Sequence, residues 1–327
     1  MLAWLACGVN AARKTRSQAA ARERNVLPNF LVIGAAKAGT TSLWSYLAQH
    51  PEVYLPETKE PNYFAFADEP PNCTGPAPAH VIHELLLKFS VTSWQEYLAL
   101  FDGRSSQKAV GEASVRYLYY PEAVARIHAR LPGVRFIVVL REPVSRMYSH
   151  YWMNRQFQLE DLELEDAIAA EPERRRAGWG YDWHYVAVGS YAAQVERYFR
   201  TFGRERVAVF LYDELSADPL GVFRQVCRFL GVADTFVPDV SERSKEASRP
   251  RFLALDRMLH HPNPVRSLGF RILRPARFEA LRVRIRRWNS ARVPQLENGR
   301  RERLKEHFRA DVRRLEQILG RDLSAWQ

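Results

Sequence analysis

One segment near the start of the chain has the residue types of a phosphate-binding loop. Gly34–Ser42 follows the apolar run Phe30–Ile33, and a helix is predicted from about Leu43. The glycines let the backbone approach an anion closely, while the loop N–H groups and the positive end of the helix point toward it. We therefore expect a phosphate site whose contacts come from Lys37, Ala38, Gly39, Thr40, Thr41 and Ser42.

The loop departs from that of a P-loop nucleotide triphosphatase at the positions that serve the metal. In that class, lysine and then serine or threonine follow the second glycine, and the hydroxyl binds magnesium. Here Thr40 stands in the lysine position, and Lys37 precedes Gly39 by two residues. The other apolar strand ends in Arg141 rather than in a magnesium-binding aspartate. The sequence thus predicts phosphate binding with no metal required, and a P-loop kinase or hydrolase remains only as the alternative.

A second anion-binding segment is Leu140–His150. Arg141 ends a predicted strand, on the side of an open α/β sheet where ligands bind. If a helix starts near Pro143, Arg141 and Ser149 converge on one anion, and arginine offers it a fork of donors. The plainer interpretation is a helix whose Arg146 makes a surface salt bridge. Two anion sites at one sheet edge suit a nucleotide with phosphates at its 5′ and 3′ positions.

These two segments resemble the 5′-phosphosulfate loop and the 3′-phosphate segment of the sulfotransferases that use 3′-phosphoadenosine-5′-phosphosulfate (PAPS). The similarity runs from about Pro28 to the end of the chain, and it is nearer to carbohydrate-type and bacterial members than to cytosolic arylsulfotransferases. Weaker motifs follow in the order of that family: Lys59–Phe64, Gly111–Ser114, Gly189–Tyr191, Phe229–Gly231 and Leu315–Trp326.

The resemblance implies a role for each matched residue. Lys37 would neutralise the oxygen between phosphate and sulfuryl group, and Glu60 would be the general base, with Lys59 near the sulfuryl oxygens. Glu60 paired with Lys59 as an ordinary loop residue is the alternative. The 5′-phosphate would lie on the hydroxyls of Thr40 to Ser42 and the 3′-phosphate on Arg141 and Ser149. The remaining assignments are Tyr191 and Arg249 over the adenine, and His83, His150 or His184 as a reserve base.

The elements that must hold these residues alternate between strands and helices. Arg135–Leu140 and Val207–Leu211 join Phe30–Ile33 as predicted buried strands. We therefore predict an α/β, P-loop-like three-layer fold with a central, mostly parallel β-sheet flanked by helices. Pro56–Ser90 and residues 238–265 are predicted as long surface segments, the second a candidate lid. Leu304, Phe308, Leu315 and Leu319 are predicted to form the apolar stripe of one final helix.

Composition sets limits on partners. The 327 residues carry a net charge of +11, which suits a polyanionic ligand, nucleic acid or an anionic membrane. No nucleic-acid motif is present, so we expect no nucleic-acid partner, and a non-catalytic basic anion-binding protein stays a second alternative. The three cysteines lack metal or disulfide spacing, which favours a reducing compartment. The expected acceptor bears a hydroxyl or amine and is a carbohydrate, a glycolipid or another small molecule.

Two units are expected along the chain. Residues 27–327 are predicted to form a single sulfotransferase domain. Residues 1–26 form a basic segment with neither a signal peptide nor a membrane span. It is either a frayed start, which is favoured, or a short helix that weakly touches anionic lipid. The expected location is therefore cytoplasmic, with peripheral membrane contact left open.

Overall fold

The computed structural model describes residues 27–241, 248–252, 284–285 and 288–327. Its centre is a five-stranded sheet in the order β2-β3-β1-β4-β5, in which all paired neighbours run parallel. The strands are β1 (Phe30–Gly34), β2 (Val53–Tyr54), β3 (Ala109–Ala113), β4 (Arg135–Leu140) and β5 (Val207–Leu211). Two short strands, β6 (Ser248–Pro250) and β7 (Ser290–Arg292), form a separate antiparallel pair.

Helices flank this sheet, as predicted, and complete the three layers. All residues of β1 and β3 are buried, which requires cover on both faces of the sheet. The described helices are α1 (Thr40–Ala48), α2 (Tyr63–Phe66), α3 (Ala79–Ile82), α4 (Trp94–Ala99), α5 (Pro121–Arg130), α6 (Pro143–Gln156), α7 (Leu164–Arg176), α8 (Ala192–Phe202), α9 (Tyr212–Ala217), α10 (Pro219–Leu230), α11 (Asn298–Lys305) and α12 (Arg309–Leu319). None of them is long and apolar enough to cross a membrane.

All three predicted strands are present in the central sheet, but its other two strands were missed. The missed strand β3 has the sequence Ala-Val-Gly-Glu-Ala, and its glycine and glutamate mask the apolar signal. Gly111 is needed there because a Cβ would lie 2.5 Å from the carbonyl oxygen of Phe30 on the neighbouring strand. Strand β2 has only two residues, too few to show a periodic pattern.

Three boundary predictions were wrong. Helix α1 begins at Thr40 rather than near Leu43, because Gly39 takes a left-handed conformation and ends the loop earlier. Pro56–Ser90 is not only a surface excursion, since it contains α2 with the fully buried ring of Phe64. The predicted final helix is divided into two helices, α11 and α12, although Leu304, Phe308 and Leu315 are all buried as expected. Residues 1–26, 242–247 and 253–283, with their predicted segments, lie outside the described residues.

Candidate active site

The loop after β1 has a backbone shaped for close approach by a ligand. Lys37 and Gly39 are both left-handed, with φ of 66° and 87°. A non-glycine residue rarely adopts such a φ, so Lys37 holds a strained conformation of the kind that clusters at functional sites. A Cβ at Gly39 would lie 3.0 Å from Cδ2 of Tyr212, so glycine is required for packing as well as for φ. No side chain caps the N-terminus of α1, which leaves its positive end facing the loop.

A cavity of about 680 Å³ opens above this loop. The predicted donor-binding residues on its wall are Lys37, Gly39, Thr40, Thr41, Ser42, Arg141 and Ser149. They come from the β1–α1 loop and from the junction of β4 with α6, because parallel strands β1 and β4 are neighbours and end at the same sheet edge. No aspartate or glutamate is present among its described lining residues. The cavity therefore favours an anion.

Lys37 is partly buried and lies in a positive environment. Its Nζ is 3.8 Å from Sδ of Met153, a weak acceptor that does not neutralise it. Burial, acting together with the positive charges of Arg141, Lys59 and Arg146, lowers the pKa of Lys37 from 10.5 to about 8. An anion in the cavity would reverse that shift, because a nearby negative charge favours the protonated amine.

Arg141 is fixed from three directions. Its Nη1 donates to the carbonyl of Lys37 at 3.1 Å, and its guanidinium lies 4.5 Å from the ring centroid of Tyr212. Tyr191 donates from its hydroxyl to the Arg141 carbonyl at 3.0 Å. The guanidinium is thus held at the cavity wall, with donors left for a ligand.

One predicted nucleotide contact, Tyr191, has a different setting from the one expected. Tyr191 is fully buried and does not line the cavity, so its link to the site is the backbone of Arg141. The backbone of Arg249 pairs with Ala291 in the β6–β7 ribbon, while its side chain lies outside the described part of the chain. Ala38 is fully buried beneath the loop and can offer a ligand only backbone groups.

Sequence reasoning missed the far wall of the cavity. Arg301 of α11 lines it and donates to Oε2 of Glu142 at 2.8 Å and to Oγ of Ser145 at 3.0 Å. Tyr148 donates to the carbonyl of Pro294 at 2.9 Å and so ties the segment 293–296 to α6. No local motif marks these residues, since the contacts join positions about 150 apart in the chain.

Glu60 and Lys59 lie together, as both interpretations of them required. The Lys59 ammonium pairs with Oε1 of Glu60, while Oε2 of Glu60 accepts the Val115 N–H at 2.9 Å. Both side chains keep some exposure, 27% for Glu60 and 17% for Lys59. The positive charge of Lys59 also acts on Lys37, so the pair lies near the loop after β1. Glu60 is thus a partly exposed carboxylate that is paired with Lys59.

A buried network holds the loop that carries Glu60. Glu112 is fully buried on β3 and accepts from Oγ of Ser114 at 2.8 Å, and Ser114 in turn accepts the Asn62 N–H at 3.0 Å. Asn62 donates from its side chain to the carbonyl of Glu60 at 2.8 Å. Burial raises the pKa of Glu112 to about 8 despite these hydrogen bonds. Through these contacts Glu112 helps to hold the loop of Glu60 in place.

The three reserve histidines have contrasting environments. His83 is exposed on a single π-helical turn, while His150 is fully buried. Nδ1 of His184 lies 2.8 Å from the Tyr119 hydroxyl, and burial lowers the pKa of His184 to about 4. None of these histidines borders the cavity above the loop.

Arg146 does not make the surface salt bridge of the plainer interpretation. Its side chain is fully buried, and it forms no ion pair with any carboxylate of the described residues. The helix that carries it begins at Pro143 as predicted, capped by Glu142, which accepts the N–H groups of Val144 and Ser145 at 3.0 and 2.8 Å.

A strand, a glycine loop and a helix N-terminus beside a cavity with a basic lining define an α/β protein of the phosphate-binding-loop type. Residues 28–236 match the model of the sulfotransferase family. The chain belongs to that family. A sulfotransferase from Alicyclobacillus acidocaldarius with a crystal structure is 36% identical to this chain in sequence and superposes on it with a TM-score of 0.71. The match covers 92% of this chain and 98% of the other.

Relatives with assigned names are also sulfotransferases. Heparan sulfate glucosamine 3-O-sulfotransferase 6 of Homo sapiens is 26% identical over 263 residues, or 76% of this chain and 68% of that protein. The membrane-associated sulfotransferase kil1 of Dictyostelium discoideum is 30% identical over 156 residues, or 44% of this chain. The chain spans only 29% of the length of kil1 and 46% of the mouse 3-O-sulfotransferase 3B1, so the match concerns a part of those proteins.

Proposed function

We propose that this protein transfers a sulfuryl group from PAPS to a hydroxyl or amine of an acceptor, and releases 3′-phosphoadenosine-5′-phosphate (PAP). The observation that carries the proposal is the convergence of Lys37, Thr40 to Ser42, Arg141 and Ser149 on one cavity whose described lining has no carboxylate. A ligand with phosphates at both ends fits two basic groups on two different loops. Membership in the sulfotransferase family agrees with this ligand.

In the proposed reaction the acceptor oxygen or nitrogen attacks sulfur, and the bond from sulfur to the bridging oxygen of the donor breaks. Glu60 takes the acceptor's proton, and Lys37 neutralises the charge that grows on the bridging oxygen. Lys59, paired with Glu60, adds positive charge beside the sulfuryl oxygens. The 5′-phosphate of PAP stays on the N-terminus of α1 and the 3′-phosphate on Arg141 and Ser149.

A carbohydrate is the acceptor class to test first. Several relatives are named as heparan sulfate sulfotransferases, which act on sugar hydroxyls or amines by those names. A glycolipid and another small molecule remain within the proposal. Residues 27–327 are proposed to act as one domain, and the cytoplasmic location and the weak membrane contact of residues 1–26 stay predictions.

The test is a titration with PAP in the absence of magnesium, followed by calorimetry and thermal unfolding. We expect saturating PAP to raise the melting temperature by several degrees, since a ligand at 100 times its Kd stabilises by about 2.7 kcal/mol. The Lys37→Ala/Arg141→Ala variant should lose this effect, and sulfur-labelled PAPS should label a glycan acceptor. If Mg-ATP stabilises the protein and PAP does not, the donor assignment fails and the kinase alternative replaces it.

A further inference from the structure

The structure has a second cavity, of about 590 Å³. It shares no lining residue with the cavity above the β1–α1 loop, the proposed donor cavity. Its walls are helix α7, the 3₁₀ turn Ala187–Gly189 with its flanks, and the first two turns of α8. Tyr119 closes one side and His307 borders another. A volume in this range is typical of small-molecule sites.

Two arginines line this cavity and make no close ion pair within the described part of the chain. Arg175 and Arg197 both line it, and neither forms an ion pair with a carboxylate of the described residues. Nη1 of Arg197 is buried and has no hydrogen-bond partner within that part of the chain. A buried donor without a partner costs free energy, and a ligand oxygen would remove that cost.

The single carboxylate in the lining, Glu171, forms no ion pair with either arginine among the described residues, although the charge of Arg175 acts on it. Glu171 uses one oxygen to accept the Val186 N–H at 2.7 Å and the other to accept the Ala187 N–H at 2.9 Å. Its role is therefore to hold the 3₁₀ turn against α7. Gln194 is similarly occupied, because its Nε2 donates to the carbonyls of Ala187 and Ser190 at 2.9 and 2.7 Å.

Most of the remaining lining is apolar; the polar exceptions are His307 and Ser190, whose hydroxyl donates to the Val186 carbonyl. Ile168, Ala169 and Pro172 from α7 and Val186 from the turn supply aliphatic surface next to the ring of Tyr119. The Tyr119 hydroxyl already contacts Nδ1 of His184 at 2.8 Å, so it presents mainly its ring to the cavity. A ligand that fits must then combine an apolar body with a single acidic head.

We infer that this cavity binds a small organic anion, whose acidic head pairs with Arg197 and Arg175 and whose apolar body lies on Ile168, Pro172 and Val186. A bidentate contact between a guanidinium and a carboxylate, sulfonate or sulfate is strong where water is excluded. The site is separate from the donor cavity and does not depend on the proposed sulfuryl transfer.

The test is calorimetric titration with naphthalene-2-sulfonate, with uncharged 2-methoxynaphthalene as the comparison. We expect the sulfonate to bind with a Kd of about 10–100 μM and the neutral compound at least tenfold more weakly. Arg197→Gln should weaken sulfonate binding about tenfold, and Arg197→Lys should retain part of the affinity because it keeps the charge. Arg200→Gln, on the exposed side of the same helix, is the matched control and should change the Kd less than twofold.

Addition of PAP to the sulfonate complex distinguishes the two cavities. Unchanged sulfonate affinity at saturating PAP is expected, and displacement by PAP would place the sulfonate in the donor cavity and overturn the inference. The inference would also be overturned if the wild-type protein showed no binding at a sulfonate concentration of about 1 mM, which corresponds to a weak affinity. An equal loss in Arg197→Gln and Arg200→Gln would overturn it as well. None of these outcomes depends on whether sulfuryl transfer is observed.

Discussion

Nη1 of Arg146 lies 3.1 Å from Nδ1 of His150, one turn further along helix α6. Both side chains are fully buried, and burial together with the charge of Arg146 keeps the pKa of His150 well below its usual range. His150 is therefore a neutral acceptor. The second bond of Arg146 goes to the Tyr185 carbonyl, and its Nε is buried without a partner among the described residues. Helix α6, which also carries Ser149 of the donor cavity, thus holds a buried positive charge with no ion-pair partner among the residues that the structure describes.

Replacement of this charge should weaken donor binding. We expect Arg146→Gln to bind PAP about tenfold more weakly, because an uncompensated buried charge is not screened by water and attracts the two phosphates. Arg146→Lys should bind more tightly than Arg146→Gln. The measurement is calorimetry with PAP, alongside the melting temperature of the free protein. Equal PAP affinities for Arg146→Gln and the wild type would show that Arg146 serves packing alone.

The titration of Lys37 should be visible in donor binding. PAP favours the protonated amine, so its affinity should fall as the pH rises through about 8, the pKa of Lys37 in the folded protein. Lys37→Arg does not titrate in this range and should show a flat profile. The check is the PAP dissociation constant from about pH 7 to pH 9.5. A profile of the same slope in both proteins would assign the titration to another group.

The same pKa predicts how the free protein responds to pH. Because the pKa of Lys37 is lower in the folded state than its ordinary 10.5, the unfolded chain binds more protons between about pH 8 and pH 10.5. The free energy of unfolding of the wild type should therefore rise with pH in this window relative to that of Lys37→Met. Urea denaturation of both proteins at the two ends of the window measures the difference.

Glu60→Gln should remove the proposed base and leave the donor site intact. We expect kcat to fall by about 10²- to 10⁴-fold, as is typical for loss of a general base. PAP affinity should stay within about twofold of the wild type, since Glu60 does not line the donor cavity. Glu57→Gln, an exposed residue of the same segment, is the control. If Glu60→Gln keeps its activity and Glu57→Gln behaves identically, the base must be sought elsewhere.

The buried carboxyl of Glu112 predicts a stability effect of opposite sign. Its folded pKa of about 8 exceeds the ordinary 4.5, so the folded state binds more protons between those values. The contribution of Glu112 to stability is present below about pH 4.5 and is lost as the pH rises through about 8. Glu112→Gln should therefore lose less stability between about pH 5.5 and pH 8 than the wild type does. The difference should be about that expected from the titration of one group. Chemical denaturation at the two pH values decides this, and parallel pH profiles would contradict it.

The donor loop was predictable because its information is local. Strand β1, the glycines and the start of α1 are continuous in sequence, and the hydrogen-bonding geometry of such a turn follows from neighbouring residues. Arg141 and Ser149 were predictable for the same reason, since both belong to one strand–helix junction. Even the order of the layers followed from alternating apolar and amphipathic segments.

Burial and pairing, by contrast, depend on segments far apart in the chain. Arg301 reaches Glu142 across 159 positions, and Glu112 is buried because α4 and the loop of Glu60 cover β3. The free energy of a charge depends on its solvent and counter-ions, which no local pattern records. The sequence by itself therefore determined the fold class, the family and the two segments that meet at the cavity, the β1–α1 loop and the β4–α6 junction. Only the tertiary structure decided which charges are paired, where the far wall of the cavity comes from, and that a second cavity carries unpaired arginines.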